Sequence, residues 1–106
     1  MSTGKRRHNG LRASVVSIGN GGKGCIVING FKLSLPQKNR RVVDNETGFW
    51  RRPSENEQQP APLKLGDEIY FNLRGRIVTS WISMNGHSSK QLRPAGPFKS
   101  KTGYNQ

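Results

Sequence analysis

The clearest binding chemistry lies near the middle of the chain, where aromatic and basic residues adjoin. Phe49 and Trp50 are followed directly by Arg51 and Arg52. Aromatic rings stack on nucleic-acid bases, while guanidinium groups pair with phosphates or stack as planes. The pattern therefore predicts contact with nucleic acid. The alternative is that the two rings anchor this segment to the fold, because an exposed Trp lowers solubility. Each ring could take a different role.

Net charge extends this chemistry to the whole chain. Eighteen Lys and Arg face six Asp and Glu, which gives +12, and all six acids fall between Asp44 and Glu68. The acid-free basic segments on either side attract polyanions and release their counterions. Nucleic acid, an anionic membrane and an acidic protein are all polyanionic, and charge that served solubility alone would be far smaller. The charge therefore predicts one of these three partners, and the aromatic residues beside the arginines favour nucleic acid, so no membrane partner is predicted.

Catalytic, metal and cofactor chemistry is not predicted. Cys25 is the only cysteine, and His8 and His87 are isolated, so no zinc-ligand spacing occurs. No nucleophile is spaced as the partner of a general base, and a core this small would not enclose a pocket for a small-molecule substrate. The glycine-rich stretch 19–24 lacks the Gly-Lys-Ser/Thr ending of a nucleotide-binding loop. We therefore expect no enzymatic activity and no cofactor.

The sequence gives no sign of secretion or of a membrane span. No apolar run approaches about 18 residues, and the basic N-terminus has no apolar stretch behind it. A lone cysteine forms no intrachain disulfide. A cytoplasmic or nuclear location is expected.

Between the two ends, hydrophobic residues alternate with a period of two, which is typical of strands. Asn29-Gly30 is the strongest hairpin signal, since a type I′ turn needs positive φ at both residues. Pro36 ends the third strand, and a polar stretch with several prolines follows it as far as Leu63. The predicted strands are residues 11–18, 23–28, 31–35, 68–73 and 76–84.

The alternation also assigns the faces of these strands. Lys32 and Ser34 are predicted to point outward. Tyr70 lies on the outer side too, where it either stacks on a base or simply favours strand formation. The residues predicted to face the core are Phe31, Leu33, Leu35, Ile69, Phe71, Leu73 and Trp81.

Together these elements predict an all-β fold, a small five-stranded antiparallel barrel of the OB type over residues 11–85. Residues 36–63 form a long loop between strands 3 and 4, and loops of this length tend to be functional or disordered. Residues 1–10 are expected to form a disordered basic arm, and residues 86–106 a flexible basic tail. A five-stranded SH3-like barrel is the alternative that the same strand count allows.

Four short stretches carry a family resemblance: 23–28 (Lys-Gly-Cys-Ile-Val-Ile), 31–34 (Phe-Lys-Leu-Ser), 65–71 (Leu-Gly-Asp-Glu-Ile-Tyr-Phe) and 75–78 (Gly-Arg-Ile-Val). In order and spacing, apart from the long loop, they resemble the motifs of cold-shock domains. Translation-associated OB domains similar to bacterial initiation factor one share the last two. The resemblance implies a cold-shock-like barrel that binds nucleic acid, with RNA favoured over DNA.

The resemblance also implies where bases would stack, and there the sequence departs from the family. Cold-shock domains stack bases on outward aromatic residues of the second and third strands. The corresponding positions here are Cys25, Val27, Lys32 and Ser34, none of which has a ring. Binding would then depend mainly on phosphates, which position a strand without specifying its sequence, or would take rings from the loop.

The sequence as a whole predicts a non-catalytic nucleic-acid-binding protein that grips the phosphate backbone and stacks bases on loop aromatics. A ribosomal or translation-associated protein and a viral or phage accessory protein share this chemistry. An adaptor that binds another protein through the long loop is the alternative from a different class. The predicted nucleic-acid contacts are Lys23, Lys32, Arg40, Arg41, Phe49, Trp50, Arg51, Arg52, Tyr70 and Arg76.

Overall fold

Short antiparallel strands make up the fold. The computed structural model describes residues 7–57, 62–85 and 92–93. Within these ranges the helical segments are two single 3₁₀ turns, Asn20–Gly22 and Gln37–Asn39. The predicted all-β class is therefore confirmed. The strands are β1 (Arg7–Ser14), β2 (Ser17–Ile18), β3 (Gly24–Ile28), β4 (Phe31–Ser34), β5 (Val42–Val43), β6 (Trp50–Arg51), β7 (Glu68–Arg74) and β8 (Ile77–Ser83).

The strands form three antiparallel sheets, in the orders β1-β7-β8, β2-β3-β4 and β5-β6. They are not closed into a barrel, because β4 and β8 are not hydrogen-bonded neighbours. The turn between β3 and β4 has φ of 50° at Asn29 and 84° at Gly30. Both values are positive, as a type I′ turn requires, and the predicted hairpin is confirmed.

The first strand differs from the prediction, because the chain changes sheets in its middle. β1 pairs with β7, whereas β2 pairs with β3. At the change, the Val15 N–H donates to the Asp67 carbonyl at 2.9 Å and the Val16 N–H donates to the Cys25 carbonyl at 2.8 Å. One continuous segment therefore holds the two larger sheets together.

β1 also begins earlier than the sequence suggests. Residues 7–10, predicted as part of a disordered arm, lie in this strand, and Arg7 pairs with Arg74 of β7. The backbone N–H of Gly10 donates to Asn72 Oδ1 at 2.9 Å, at a bulge between His8 and Leu11. The rest of the predicted arm, residues 1–6, lies outside the described residues.

The main core lies between the β1-β7-β8 and β2-β3-β4 sheets. The predicted inward positions of β7 are confirmed, since Ile69, Phe71 and Leu73 are all buried. Gly24 allows Leu63, from the segment before β7, to pack closely on β3, because a Cβ at Gly24 would lie 2.8 Å from Leu63 Cδ1. Other buried members of this cluster are Val15, Ile26, Leu33, Leu35, Val78 and Trp81.

In the predicted long loop, residues 36–63, the described residues 36–57 contain a short hairpin that packs on the protein. Its β5-β6 hairpin lies on the outer face of the β1-β7-β8 sheet, where Trp50 packs with Ile82 of β8. Tyr70 also packs against this second cluster. The β5-β6 hairpin is therefore packed against the rest of the chain.

Part of the predicted C-terminal tail takes part in the same cluster. Leu92 is buried beside Trp50 and Val43. The backbone N–H of Arg93 donates to the Gly48 carbonyl at 3.1 Å. The packed unit thus extends beyond the predicted boundary at residue 85, while residues 86–91 and 94–106 lie outside the described residues.

Both tryptophans are structural in this fold, which gives a stability prediction. A mobile-loop Trp50 would leave stability unchanged on truncation, but its side chain is 2% exposed and that of Trp81 is 0% exposed. We expect Trp50→Ala and Trp81→Ala each to lower the free energy of unfolding by about 3–5 kcal/mol. Leu65→Ala is the control, since Leu65 is 66% exposed, and it should change stability by less than about 0.5 kcal/mol. Urea unfolding followed by circular dichroism measures all three; an unchanged Trp50→Ala variant would show that the ring is not packed.

Candidate nucleic-acid interface

The predicted contact residues do not share one surface. Lys23 and Lys32 are exposed on or beside the β2-β3-β4 sheet. Val27 lies opposite Lys32 in the hairpin and is 45% exposed, while Cys25 lies opposite Ser34. The outward face inferred from alternation is confirmed. It is basic and has no aromatic ring on β3, so phosphate contact is the chemistry it offers.

The two rings of the β5-β6 hairpin differ in exposure. Trp50 is buried and cannot stack on a base in this conformation. Its Nε1 is buried with no hydrogen-bond partner. Phe49 is 39% exposed, and the Arg93 guanidinium lies 5.4 Å from its ring centroid. Trp50 therefore anchors the hairpin, whereas Phe49 remains at the surface.

Arg51 is engaged by acidic side chains. Its Nη1 and Nη2 atoms donate to the two carboxylate oxygens of Glu57 at 2.8 and 3.1 Å, and its Nε lies 3.9 Å from Asp44. The hydrogen bond from Arg51, together with one from the Ser54 backbone N–H, holds the pKa of Glu57 below its ordinary value. Arg51 thus braces the hairpin, while its neighbour Arg52 is exposed.

Tyr70 is half-buried and covered. The Arg12 guanidinium lies 5.6 Å from its ring centroid, and Arg12 also pairs with Glu68 at 2.8 Å. That hydrogen bond raises the pKa of Arg12. The Tyr70 ring is therefore partnered within the protein on this side.

Arg40 and Arg41 run alongside β8. The guanidinium of Arg40 lies 5.8 Å from the Trp81 ring centroid, and the Arg41 N–H donates to the Trp81 carbonyl at 2.7 Å. Arg41 is 8% exposed, and burial, with the charge of Arg52 nearby, lowers its pKa. Of the adjacent pair, only Arg41 is buried.

Phe31 is an exposed aromatic residue that was not among the predicted nucleic-acid contacts. It was predicted to face the core with Leu33 and Leu35, but its side chain is 45% exposed. Phe31 is the first residue of β4, opposite Ile28 at the turn, so its side of the strand extends past the packed core. Its position directly after Asn29-Gly30 was the available signal.

Phe31 and Arg76 together border an open cleft. The Arg76 guanidinium lies 3.8 Å from the Phe31 ring centroid. The cleft has a volume of about 400 Å³ and lies at the end of the β1-β7-β8 sheet, between the β3-β4 and β7-β8 turns. Its other lining residues are His8, Leu11, Arg12, Ile28, Asn29, Leu33, Leu73 and Gly75. The predicted contact Arg76 thus lies beside a ring and an apolar cavity large enough for a ligand group.

No family model, curated protein or solved structure matches the chain. In the described part, no three His, Cys, Asp or Glu side chains are grouped so that they could hold a metal ion. Nor does that part contain a helix long and apolar enough to span a membrane.

The pairing of Arg51 with Glu57 gives a prediction about titration. Because the pKa of folded Glu57 lies below its unfolded value, the stability from this pair is present above the unfolded pKa and is lost as pH falls. Replacing Arg51 with Gln should raise the Glu57 pKa towards its ordinary value, as measured by NMR of the Glu57 carboxyl carbon. Arg52→Gln is the control, since Arg52 is not paired with Glu57, and should leave that pKa unchanged. An unaltered pKa in Arg51→Gln would show that the pair does not form.

Proposed function

We propose that this protein is a non-catalytic nucleic-acid-binding module that prefers RNA, with bases entering the cleft at Phe31 and Arg76. The exposed Phe31 ring beneath a guanidinium, at the rim of an apolar cleft, is the observation that carries the proposal. Rings and guanidinium planes both stack on bases, and Arg also binds phosphate. The preference for RNA rests on the motifs that resemble cold-shock and translation-associated OB domains.

The distribution of ion pairs supports a polyanionic ligand. Asp44, Glu57 and Glu68 are paired with Arg51 or Arg12. All six acidic residues of the chain lie within the described ranges. None of the six is paired with Arg7, Arg41, Arg52, Arg74 or Arg76. Positive charge that is not neutralised within the fold raises the surface potential and attracts phosphates.

The shape of the cleft favours single strands. Its lining is largely apolar and includes Leu11, Ile28 and Leu73 together with Phe31 and Arg76. An unpaired base can insert a flat face into such a site, whereas the bases of a duplex are stacked on one another. We therefore expect single-stranded RNA to bind more tightly than duplex RNA of the same length.

An OB-like architecture is part of this proposal. Two observations support it. The β1–β2 segment pairs with both β7 and β3. Arg40, in the segment after β4, forms a parallel β-bridge with Trp81 of β8. An OB fold is a five-stranded, partly open barrel that binds oligonucleotides with one sheet face and the loops at its end. On this view the cleft beside the β7-β8 turn corresponds to a binding loop.

A salt series tests the proposed function. Labelled single- and double-stranded RNA and DNA of one sequence are titrated with the full chain at several salt concentrations. Neutralising about five to eight phosphates gives a slope of log affinity against log salt of about −4 to −7. Single-stranded RNA should bind most tightly. A slope near zero for all of these nucleic acids would contradict the proposal.

A further inference from the structure

A second pocket lies on the outer face of the same sheet end. Arg7 of β1 pairs directly with Arg74 of β7, and Arg41 approaches them from the segment beside β8. The pocket has a volume of about 390 Å³. Its other lining residues are Asn9, Asn72, Thr79 and Ser80, so its lining includes three guanidinium groups and no carboxylate.

Arg41 is held in this pocket without an acidic partner. Its backbone is fixed by the N–H bond to the Trp81 carbonyl, and the residue is 8% exposed. Its guanidinium donates a long hydrogen bond from Nη1 to the Arg40 carbonyl, at 3.4 Å. A buried charge without a counterion is strongly unfavourable. The lowered pKa of Arg41 reflects this burial and the nearby charge of Arg52.

The other two arginines repel each other. Arg7 and Arg74 occupy directly opposed positions of the β1–β7 ladder. Like charges at such positions destabilise a sheet. An anion between the guanidinium groups would remove this repulsion and also provide the counterion that Arg41 lacks.

The neutral groups of the pocket can also donate to an anion. The buried Asn72 side chain accepts from the Gly10 N–H and donates from Nδ2 to Ser80 Oγ at 3.0 Å. Because Ser80 Oγ accepts that bond, its own proton remains to be donated into the pocket. The pocket is therefore rich in donors, which are the groups an oxyanion requires.

We propose that the pocket of Arg7, Arg41 and Arg74 binds a phosphate monoester, the terminal phosphate of a nucleic-acid strand. A monoester carries a charge of about −1.5 to −2 at pH 7, whereas an internal phosphodiester carries −1. Three guanidinium groups suit the higher charge, and their forked donors match phosphate oxygens. This inference rests on the proposed function, since the strand itself would enter through the neighbouring cleft.

The position of the pocket relative to the cleft supports a strand end as the source of the phosphate. His8 and Leu73 line the cleft, and the adjacent Arg7 and Arg74 line the pocket. Neighbouring residues of a strand point to opposite faces of the sheet. A single-stranded nucleic acid that reaches around this end of the sheet can therefore place a base on one face and its terminal phosphate on the other.

Matched oligonucleotides test the inference. Single-stranded RNAs with a 5′-phosphate, a 3′-phosphate or only hydroxyl ends are titrated with the full chain at fixed salt. We expect a phosphate at one end to raise affinity at least about tenfold at pH 7. The gain should shrink at pH 5, because the second pKa of a phosphate monoester is about 6. Inorganic phosphate and a mononucleoside monophosphate are competitors in separate titrations.

Pocket variants provide the controls. Arg41→Gln, and independently the exposed Arg74→Gln, should abolish the preference for the phosphorylated end. Lys32→Gln removes the same charge from another sheet and should weaken all the RNAs alike, leaving the preference intact.

The outcomes separate the two proposals. RNAs that bind with a steep salt slope but show no preference for a phosphorylated end overturn the inference and leave the proposed function standing. Inorganic phosphate that competes as well as the nucleotide overturns the strand end as the source. If none of the RNAs binds, the proposed function and the inference both fail.

Discussion

Much of the architecture depends on how Trp81 ties the segment after β4 to β8. Its indole is fully buried, and its Nε1–H donates to the Pro36 carbonyl at 2.9 Å. Its own carbonyl accepts from the Arg41 N–H. A single core residue therefore fixes residues 36–41 along β8. Because this segment leads into the β5-β6 hairpin, the same contacts determine which face of the sheet the hairpin covers and where Arg41 is buried.

The two proposed contact sites follow from this arrangement and from the alternation of strand residues. At the end of the β1-β7-β8 sheet, inward positions line an apolar cleft, and outward positions bring Arg7 and Arg74 together. Three of the six acidic residues pair with Arg12 or Arg51, neither of which lines the pocket of Arg7, Arg41 and Arg74. Positive charge thus remains concentrated where the sheet ends. In the proposed complex, one nucleic-acid strand contacts the protein through a base on one side of the sheet and through its terminal phosphate on the other.

Local sequence pattern was sufficient for the β3-β4 hairpin and the core of β7. Alternation placed Ile69, Phe71 and Leu73 inside, and Asn29-Gly30 specified its turn without help from distant residues. The same pattern placed Phe31 inside, which is wrong. Alternation identifies a face of a strand but not how far along that face another sheet extends.

Distant contacts decided the features that the sequence could not predict. Trp50 is buried because Ile82 and Leu92, far away in the chain, pack against it. Arg7 belongs to a strand because the backbone of β1 pairs with β7, and nothing local distinguishes Arg7 from an unpaired basic arm. The pocket of Arg7, Arg41 and Arg74 could not be predicted for the same reason, since three separate segments contribute its arginines.

The most direct measurement compares Phe31→Ala with Val27→Ala for single-stranded RNA binding. The two side chains are equally exposed, at 45%, on the same hairpin, but only Phe31 contacts Arg76 at the cleft. A stacked base contributes about 1–3 kcal/mol. Phe31→Ala should therefore weaken binding about tenfold to a hundredfold, and Val27→Ala by less than about twofold, with both variants folded. Equal losses in the two variants, or a larger loss in Val27→Ala, would contradict base binding at the cleft.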